Sequence, residues 1–318
     1  MHIRILGSGA GGGLPQWNCG CSNCRAARIG REGIRPRSQS SLCVSVDGRR
    51  WVLINASPDV RTQLAAFEPV GPAEGSLRGS GISAVVLTNA DIDHCAGLLV
   101  LREGGAPPIY STDRVRTALT EGLTILPVLA AYGTVDVREI VPGQKFQVHD
   151  RNGEPLGIWF TSFAVASKPP PYMSSGLKER TRDDLAGDTI GLIIEAGERG
   201  TVAYVPGVRE LDEPLAASLA LADLILIDGT FYTDDELVAL GASAKTARTM
   251  GHAPIQGPDG TLAFLGRFPR ARRVLVHINN TNPILVEGSA ERRAVEQAGV
   301  EVGEDGMTFR VGSPSLPA

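Results

Sequence analysis

The sequence has no long apolar run, no excess of positive charge and no recognisable leader. No apolar stretch reaches the roughly 18 residues that a membrane-spanning helix needs, and residues 1–7 are too short and too polar for a signal peptide. We therefore expect a soluble protein of the cytoplasm that does not span a membrane. The formal net charge of −4 does not provide the positive field of a nucleic-acid-binding protein, so we expect no nucleic-acid partner.

Histidine and cysteine are scarce, with five of each among 318 residues. No histidine lies between His149 and His252, which limits the metal sites that imidazole ligands can build. Three of the cysteines are crowded into Cys19, Cys21 and Cys24. In a reducing compartment such a cluster indicates a metal ion rather than disulfides, and one loop with three thiolates can wrap a tetrahedral zinc. The fourth ligand must come from elsewhere, and the alternative is a set of unmodified thiols.

The rest of the composition is typical of a globular protein. The chain is 42% hydrophobic, which is enough to bury a large core, and it shows no internal repeat or low-complexity tract. Short apolar runs typical of buried strands alternate with amphipathic, helix-like segments. This pattern favours the α/β class, and we expect one domain over residues 1–318.

A polar loop after one of these strands carries the strongest functional signal. The apolar run 84–87 predicts a buried strand, and Asp91, Asp93 and His94 follow it closely. Loops at strand ends are where α/β proteins place functional side chains, and carboxylates beside an imidazole suit a divalent transition metal. The alternative is a helix N-terminus, where an aspartate caps free N–H groups. A cap needs one aspartate and explains neither the second one nor the histidine.

Two further buried strands are followed directly by Asp228 and His277. Because the strand ends of one sheet layer converge in space, we expect these side chains to meet Asp93 and His94 at a metal site. Taken singly, Asp228 could belong to a turn with the glycine after it, and His277 could be a hydrogen-bonded core histidine. The coincidence at three strand ends favours the metal site.

Two further loop segments are expected to have roles other than metal binding. The glycine-rich stretch 7–13 follows the first predicted strand, but Pro15 and Trp17 stand where a dinucleotide-binding loop would need a helix. We expect these glycines to let the backbone pass close to a site without the clash of a Cβ atom. The segment from Met173 to Asp188 is polar and charged, and we expect a mobile loop or lid there.

Several motifs together resemble a known family. The segment from Asn89 to His94 lies where the metallo-β-lactamase superfamily has the pattern H-x-H-x-D-H, and Asp228 and His277 match its bridging carboxylate and last histidine. Over nearly the whole chain, the sequence more closely resembles the coenzyme PQQ (pyrroloquinoline quinone) biosynthesis protein B family. The motifs that carry this resemblance are Gly11-Gly12-Gly13-Leu14-Pro15-Gln16-Trp17-Asn18-Cys19, Ser167-Lys168-Pro169-Pro170-Pro171-Tyr172, Asp228-Gly229-Thr230, Met250-Gly251-His252-Ala253-Pro254-Ile255 and His277-Ile278-Asn279-Asn280-Thr281-Asn282-Pro283.

The resemblance implies a fold and a reaction. The fold is a four-layer αββα sandwich of the metallo-β-lactamase type. The reaction is an iron- and O₂-dependent hydroxylation of the tyrosine ring in a small Glu-Tyr-derived precursor of PQQ. The partners are therefore a small peptide or PQQ precursor and O₂, and a homodimer is left open.

The departures from the superfamily pattern limit the kind of metal site that these residues can build. Asn89 and Asp91 replace the first two histidines of the motif, and Ser167 or a neighbour stands where the superfamily has its middle histidine. A two-metal cage, which clamps both oxygens of a phosphoester, cannot be built from so few histidines. What remains resembles the facial triad of non-haem Fe(II) oxygenases. We expect one Fe(II) to be held by four residues, namely Asp93, His94, Asp228 and His277.

Three further residues have expected roles. His252, on a loop that begins with glycine, is expected to be an acid/base group or a substrate contact, with a structural role as the alternative. Asp91 is expected to complete the coordination or to orient a ligand. Related superfamily phosphodiesterases with the same cysteine spacing place a histidine three residues after the last active-site histidine. That position here is Asn280, which we take as the candidate fourth ligand of a structural zinc.

Two other functions remain open at this point. One is a soluble carrier that helps to transport PQQ or its precursor to the periplasm. The other is a metal-dependent, phosphodiesterase-like hydrolase.

Overall fold

The computed structural model describes residues 1–103, 106–173, 186–197 and 200–312. Most of the predicted lid, residues 174–185, lies outside the described residues. Within those ranges, the strands are β1 (His2–Gly7), β2 (Ser41–Ser45), β3 (Trp51–Ile54), β4 (Ile82–Val86), β5 (Ile109–Ser111), β6 (Val137–Glu139), β7 (Lys145–His149), β8 (Pro155–Ala164), β9 (Ile190–Glu195), β10 (Thr201–Val205), β11 (Leu224–Asp228), β12 (Arg272–Val276), β13 (Glu301–Val302) and β14 (Thr308–Arg310). The α-helices of the same ranges are α1 (Ser22–Arg28), α2 (Val60–Ala65), α3 (Ile92–Cys95), α4 (Asp113–Thr117), α5 (Ile125–Ala130), α6 (Glu213–Leu219), α7 (Glu236–Ala239), α8 (Ala247–Met250), α9 (Thr261–Leu265) and α10 (Ala290–Gln297).

The strands form two mixed sheets. The strand order is β14-β1-β2-β3-β4-β5-β6 in the first sheet and β13-β12-β11-β10-β9-β8-β7 in the second. Strands β3, β4 and β5 run parallel in the first sheet, and β10, β11 and β12 run parallel in the second. In each sheet, therefore, the strands next to the polar loops point the same way.

The sheets pack face to face, and helices cover both outer faces. In β11, Leu224 and Leu226 face the central core between the sheets, whereas Ile225 and Ile227 belong to the cluster under α6, α9 and α10. This burial on both faces explains why β11 reads as a continuous apolar run rather than an alternating one. A third cluster fills the space between the first sheet and α2, α4 and α5. The predicted four-layer αββα sandwich is confirmed.

One detail of the topology differs from the prediction. The strands that precede the expected ligands do not belong to one sheet layer, because β4 lies in the first sheet and β11 and β12 lie in the second. The ligand-bearing loops therefore meet across the sandwich, at the ends of two facing parallel segments. In the described ranges, no helix has the length and apolar character that crossing a bilayer requires.

Candidate metal centre

The loop after β4 delivers its side chains through the short helix α3. Asp91 occupies the N-cap position of this helix, but its side chain makes no capping hydrogen bond. Instead, a carboxylate oxygen of Asp91 accepts a hydrogen bond of 3.1 Å from the amide of Asn89. The structure therefore does not support helix capping as the reason for the aspartates, and Asp93 and His94 are free to face the second sheet.

Asp93, His94 and His277 form the first ligand group, in which one potential ligand atom from each residue lies within 4.8 Å of the others. The Nε2 atom of His277 is 3.1 Å from Oδ2 of Asp93, and the Nε2 atom of His94 is 3.9 Å from the same oxygen. Two imidazoles and one carboxylate at this spacing are the donor set of a facial triad.

The electrostatics of this group suit a bound cation. Burial lowers the pKa of His94 to about 4, so its ring is neutral near pH 7 and can act as a ligand. Burial alone would raise the pKa of Asp93. The neighbouring His94 and His277 nevertheless hold this pKa well below its usual range. Among the described residues, Nε2 of His94 is buried and has no hydrogen-bond partner. A buried nitrogen that faces a carboxylate without a partner fits a metal ion between them.

His252, Asp228 and His277 form a second group, which shares His277 with the first. The Nδ1 atom of His252 lies 2.7 Å from Oδ2 of Asp228, and its ring stacks on that of His277 at 5.3 Å. Oδ2 of Asp228 also accepts from the backbone N–H of Val208, and Oδ1 accepts from the N–H and the hydroxyl of Thr230. These four contacts use the hydrogen-bonding capacity of the carboxylate, so the geometry favours Asp228 as the residue that orients His252.

Thr230 is the functional residue that sequence reasoning missed. Its Oγ1 atom lies 2.5 Å from Oδ1 of Asp228 and 2.8 Å from Nδ1 of His277. A hydroxyl that donates to the carboxylate can accept the Nδ1–H of His277, which leaves the lone pair on Nε2 to face Asp93 and a metal. The sequence signal for Thr230 is its place two residues after the strand-end aspartate, in the motif Asp228-Gly229-Thr230.

The predicted set of ligands is thus brought together in two connected groups. Asp93, His94 and His277 meet as predicted. Asp228 belongs only to the second group, and its role as a metal ligand stays a prediction. Asp91 belongs to neither group; burial and the charge of Asp93 raise its pKa to about 6. A carboxyl group with this pKa can exchange a proton near neutral pH. Completion of the metal coordination by Asp91 stays a prediction.

The glycine-rich stretch borders the first group. A Cβ atom added to Gly11 would lie 3.4 Å from Oδ2 of Asp93, and the backbone N–H of Ala10 donates to the carbonyl of Ile278 at 2.9 Å. The loop therefore passes close to the carboxylate and to the strand end that carries His277. The backbone therefore approaches the group as expected, but a Cβ atom at Gly11 would make only an ordinary contact with Asp93, so this position does not require glycine to avoid a clash with that carboxylate.

A separate cysteine site lies beside this loop. The Sγ atoms of Cys19, Cys21 and Cys24 lie within 4.8 Å of one another. The side-chain amide of Asn280 faces all three, with its Nδ2 atom 3.1, 3.6 and 3.3 Å from the sulfurs in that order. Burial raises the pKa of Cys24 to about 11, so a thiolate there requires a nearby cation. Asn280 thus faces the three sulfurs, and rotation of its amide would present an oxygen to a zinc ion; its place as the fourth ligand stays a prediction.

The fold and the metal centre define a class of protein. The family model for a beta-lactamase superfamily domain matches residues 50–278, a range that contains both ligand groups. The chain therefore belongs to the β-lactamase superfamily and has the metallo-β-lactamase fold.

The comparisons also identify the particular family. The structure matches the Zn²⁺-bound PqqB from Methylobacterium extorquens with a TM-score of 0.88 and 43% sequence identity, covering 98% of this chain and 100% of that one. Coenzyme PQQ synthesis protein B of Methylobacillus flagellatus is 46% identical over 96% of this chain and 99% of its own length. The Pseudomonas aeruginosa protein of the same name is 44% identical over 98% of this chain and its own full length. This chain belongs to the coenzyme PQQ synthesis protein B family.

Proposed function

We propose that this chain is a metal-dependent enzyme of PQQ synthesis that hydroxylates the tyrosine ring of a small Glu-Tyr-derived precursor. The observation that carries the proposal is the group of two histidines and one carboxylate formed by Asp93, His94 and His277. Such a group leaves coordination positions open for O₂ and substrate. Fe(II) held there supplies the electron transfer to O₂ that the hydroxylation requires.

The overall reaction balances with an external reductant. One oxygen atom of O₂ enters a C–H bond of the tyrosine ring, and the other leaves as water with two electrons and two protons from the reductant. Nδ1 of His252 lies 2.7 Å from Oδ2 of Asp228, and the tautomer that donates to this carboxylate leaves Nε2 free to accept a proton beside the ligands.

The geometry argues against a two-metal hydrolase. A binuclear site of this superfamily holds one of its two ions with the first two histidines of its motif, and Asn89 and Asp91 stand at those positions here. The carboxylate of the second group is, in addition, already hydrogen-bonded at both oxygens. The arrangement therefore supports one metal ion at this centre, with Asp228 and His252 beside it.

The experiment is a single-turnover hydroxylation. Protein loaded anaerobically with Fe(II) is mixed with the dipeptide Glu-Tyr, a reductant and isotopically labelled O₂, and the product is analysed by mass spectrometry. We expect one labelled oxygen atom in the tyrosine ring, and no product from zinc-loaded protein. His94→Ala and His277→Ala should lose both iron and product, whereas His149→Ala, which alters a histidine on β7 outside both ligand groups, should retain them.

Three results would contradict the proposal. Full iron content and hydroxylation in His94→Ala and His277→Ala would place the metal elsewhere. Tight binding of PQQ without turnover of any tyrosine-containing peptide would support a carrier. Hydrolysis of a phosphodiester by zinc- or manganese-loaded protein would support the hydrolase.

A further inference from the structure

The segment after β8 is fixed against the metal-binding loop. Three consecutive prolines, residues 169–171, connect Lys168 to Tyr172 and restrict the backbone between them. The hydroxyl of Tyr172 donates to the backbone carbonyl of Ala90 at 2.5 Å. A Cβ atom added to Gly122 would lie 2.6 Å from Cε2 of Tyr172, so the ring fits a notch that only glycine leaves open.

The other end of this segment lies beside His252. Gly251 has a left-handed backbone conformation with φ of 97° at the end of α8, which favours glycine. A Cβ atom added there would lie 3.1 Å from Oγ of Ser167 and 3.4 Å from Cγ of Lys168. The aliphatic part of Lys168 therefore packs against the residue that precedes His252, at the rim of the metal centre.

Among the residues that the structure describes, Lys168 has no group of opposite charge in direct contact. The part of the chain that the structure describes gives this ammonium group no ion pair, although its charge lowers the pKa of Asp91. Burial lowers the pKa of Lys168 itself, the charge of Asp91 raises it, and the charge of Lys245 lowers it. A half-buried ammonium group at the edge of a site, with no ion pair among the described residues, is a place where an anion would be stabilised.

We propose that Lys168 binds a carboxylate of the substrate at the rim of the metal centre. The proposal deepens the proposed function and depends on it, because a precursor derived from glutamate and tyrosine carries carboxylates. In this arrangement the prolines and Tyr172 hold Lys168 at a fixed distance from His252 and the ligands. The carboxylate contact then positions the tyrosine ring rather than taking part in the chemistry.

The test measures binding rather than turnover, so that it does not depend on hydroxylation. Glu-Tyr is titrated into zinc-loaded protein by calorimetry, with the carboxylate-free analogue Gln-Tyr-amide and inorganic phosphate as comparison ligands. Lys168→Met removes the charge and keeps most of the aliphatic chain, Lys168→Arg keeps the charge, and Lys245→Met removes the second cation. Lys145→Met is the matched control, since Lys145 pairs with Glu195 at 2.7 Å on the second sheet. Thermal melting checks that each variant is folded.

We expect Lys168→Met to weaken Glu-Tyr binding about tenfold, as loss of a half-buried charge contact does, and Lys245→Met to weaken it by less. Lys168→Arg and Lys145→Met should bind like the wild type, and Lys168→Met should not weaken binding of the carboxylate-free analogue. Equal binding of Glu-Tyr by wild type and Lys168→Met would overturn the proposal. So would Lys168-dependent binding of phosphate without binding of Glu-Tyr. If Glu-Tyr binds as expected but is never hydroxylated, the subsite stands and the proposed reaction fails.

Discussion

At the scale of single residues, Thr230 connects the two ligand groups through one hydroxyl. Replacing it with valine keeps the shape but removes the contacts to Asp228 and His277. Because such supporting contacts orient metal-bound imidazoles, we expect Thr230→Val to lower iron affinity or turnover by roughly 10- to 100-fold. Thr230→Ser retains the hydroxyl and should stay within a few-fold of wild type. Iron titration of both variants is the measurement, and an equal loss in the two would rule out a role for the hydroxyl.

Glu236 is a buried carboxyl group that lies outside both ligand groups. Its Oε2 atom accepts from the backbone N–H of Tyr232 at 2.7 Å, and its Oε1 atom accepts from the hydroxyl of Thr281. Burial nevertheless raises its pKa from 4.5 to about 6. The folded protein therefore holds this proton more tightly than the unfolded chain, and stability decreases as the pH rises from 4.5 through about 6.

Glu236→Gln should remove this pH dependence. The amide keeps an oxygen for the N–H of Tyr232 and a donor for Thr281, but it cannot ionise. We expect equal stability of variant and wild type near about pH 4, and a variant more stable by about 2 kcal/mol near about pH 8. Urea unfolding at both pH values measures the difference, and the same difference at each pH would show that Glu236 does not titrate as described.

The residues that could be predicted from the sequence are those whose position is set by the chain itself. Asp93, His94 and His277 each follow a buried strand, and strand ends are where side chains converge. The role of Thr230 could not be predicted, because a hydroxyl acquires it only from the groups that fold against it. The partnership of His252 with Asp228 depends in the same way on α8, which is distant from β11 in the sequence.

At the scale of elements, the cysteine loop (residues 19–24) brings the start of α1 into contact with the loop after β12. Its three sulfurs face Asn280, which lies three residues beyond His277. A zinc ion bound there adds to the stability of the fold, by about 2.7 kcal/mol at a free zinc concentration of about 100 times the Kd. Cys21→Ser should therefore lose zinc and lower the free energy of unfolding by a similar amount.

The matched control for that variant is Cys43→Ser in the core, where the cysteine lies outside the three-sulfur cluster. This variant should retain zinc even where its stability falls. Unchanged zinc content in Cys21→Ser, measured by metal analysis beside chemical unfolding, would contradict the assignment of the site.

The elements differ in how well the sequence predicts them. The strands β10 and β11 follow from their apolar runs, and the helix α10 follows from its amphipathic pattern. The helix α1 was not predicted, because it is short and begins inside the cysteine cluster, where Cys21 occupies the N-cap position. The amphipathic pattern over Glu210 to Ala222 favours a helix, but α6 spans only Glu213–Leu219, since Asp212 caps its first turn.

At the scale of the whole molecule, the sandwich places two sets of parallel strand ends opposite each other. The sequence predicts that the ligands converge, but it assigns their strands to one layer. The structure shows that they come from two layers, because long-range pairing decides which sheet a strand joins, and local periodicity carries no information on it.

The central claim is that these strand ends gather one metal ion, distinct from the one in the cysteine loop. The most direct measurement is the metal content of the purified protein after reconstitution and removal of excess metal. The account predicts about two metal ions per chain, one at each site, with one lost in Cys21→Ser and the other lost in His94→Ala and in His277→Ala. About three ions per chain, or a metal content unchanged by the histidine substitutions, would contradict it.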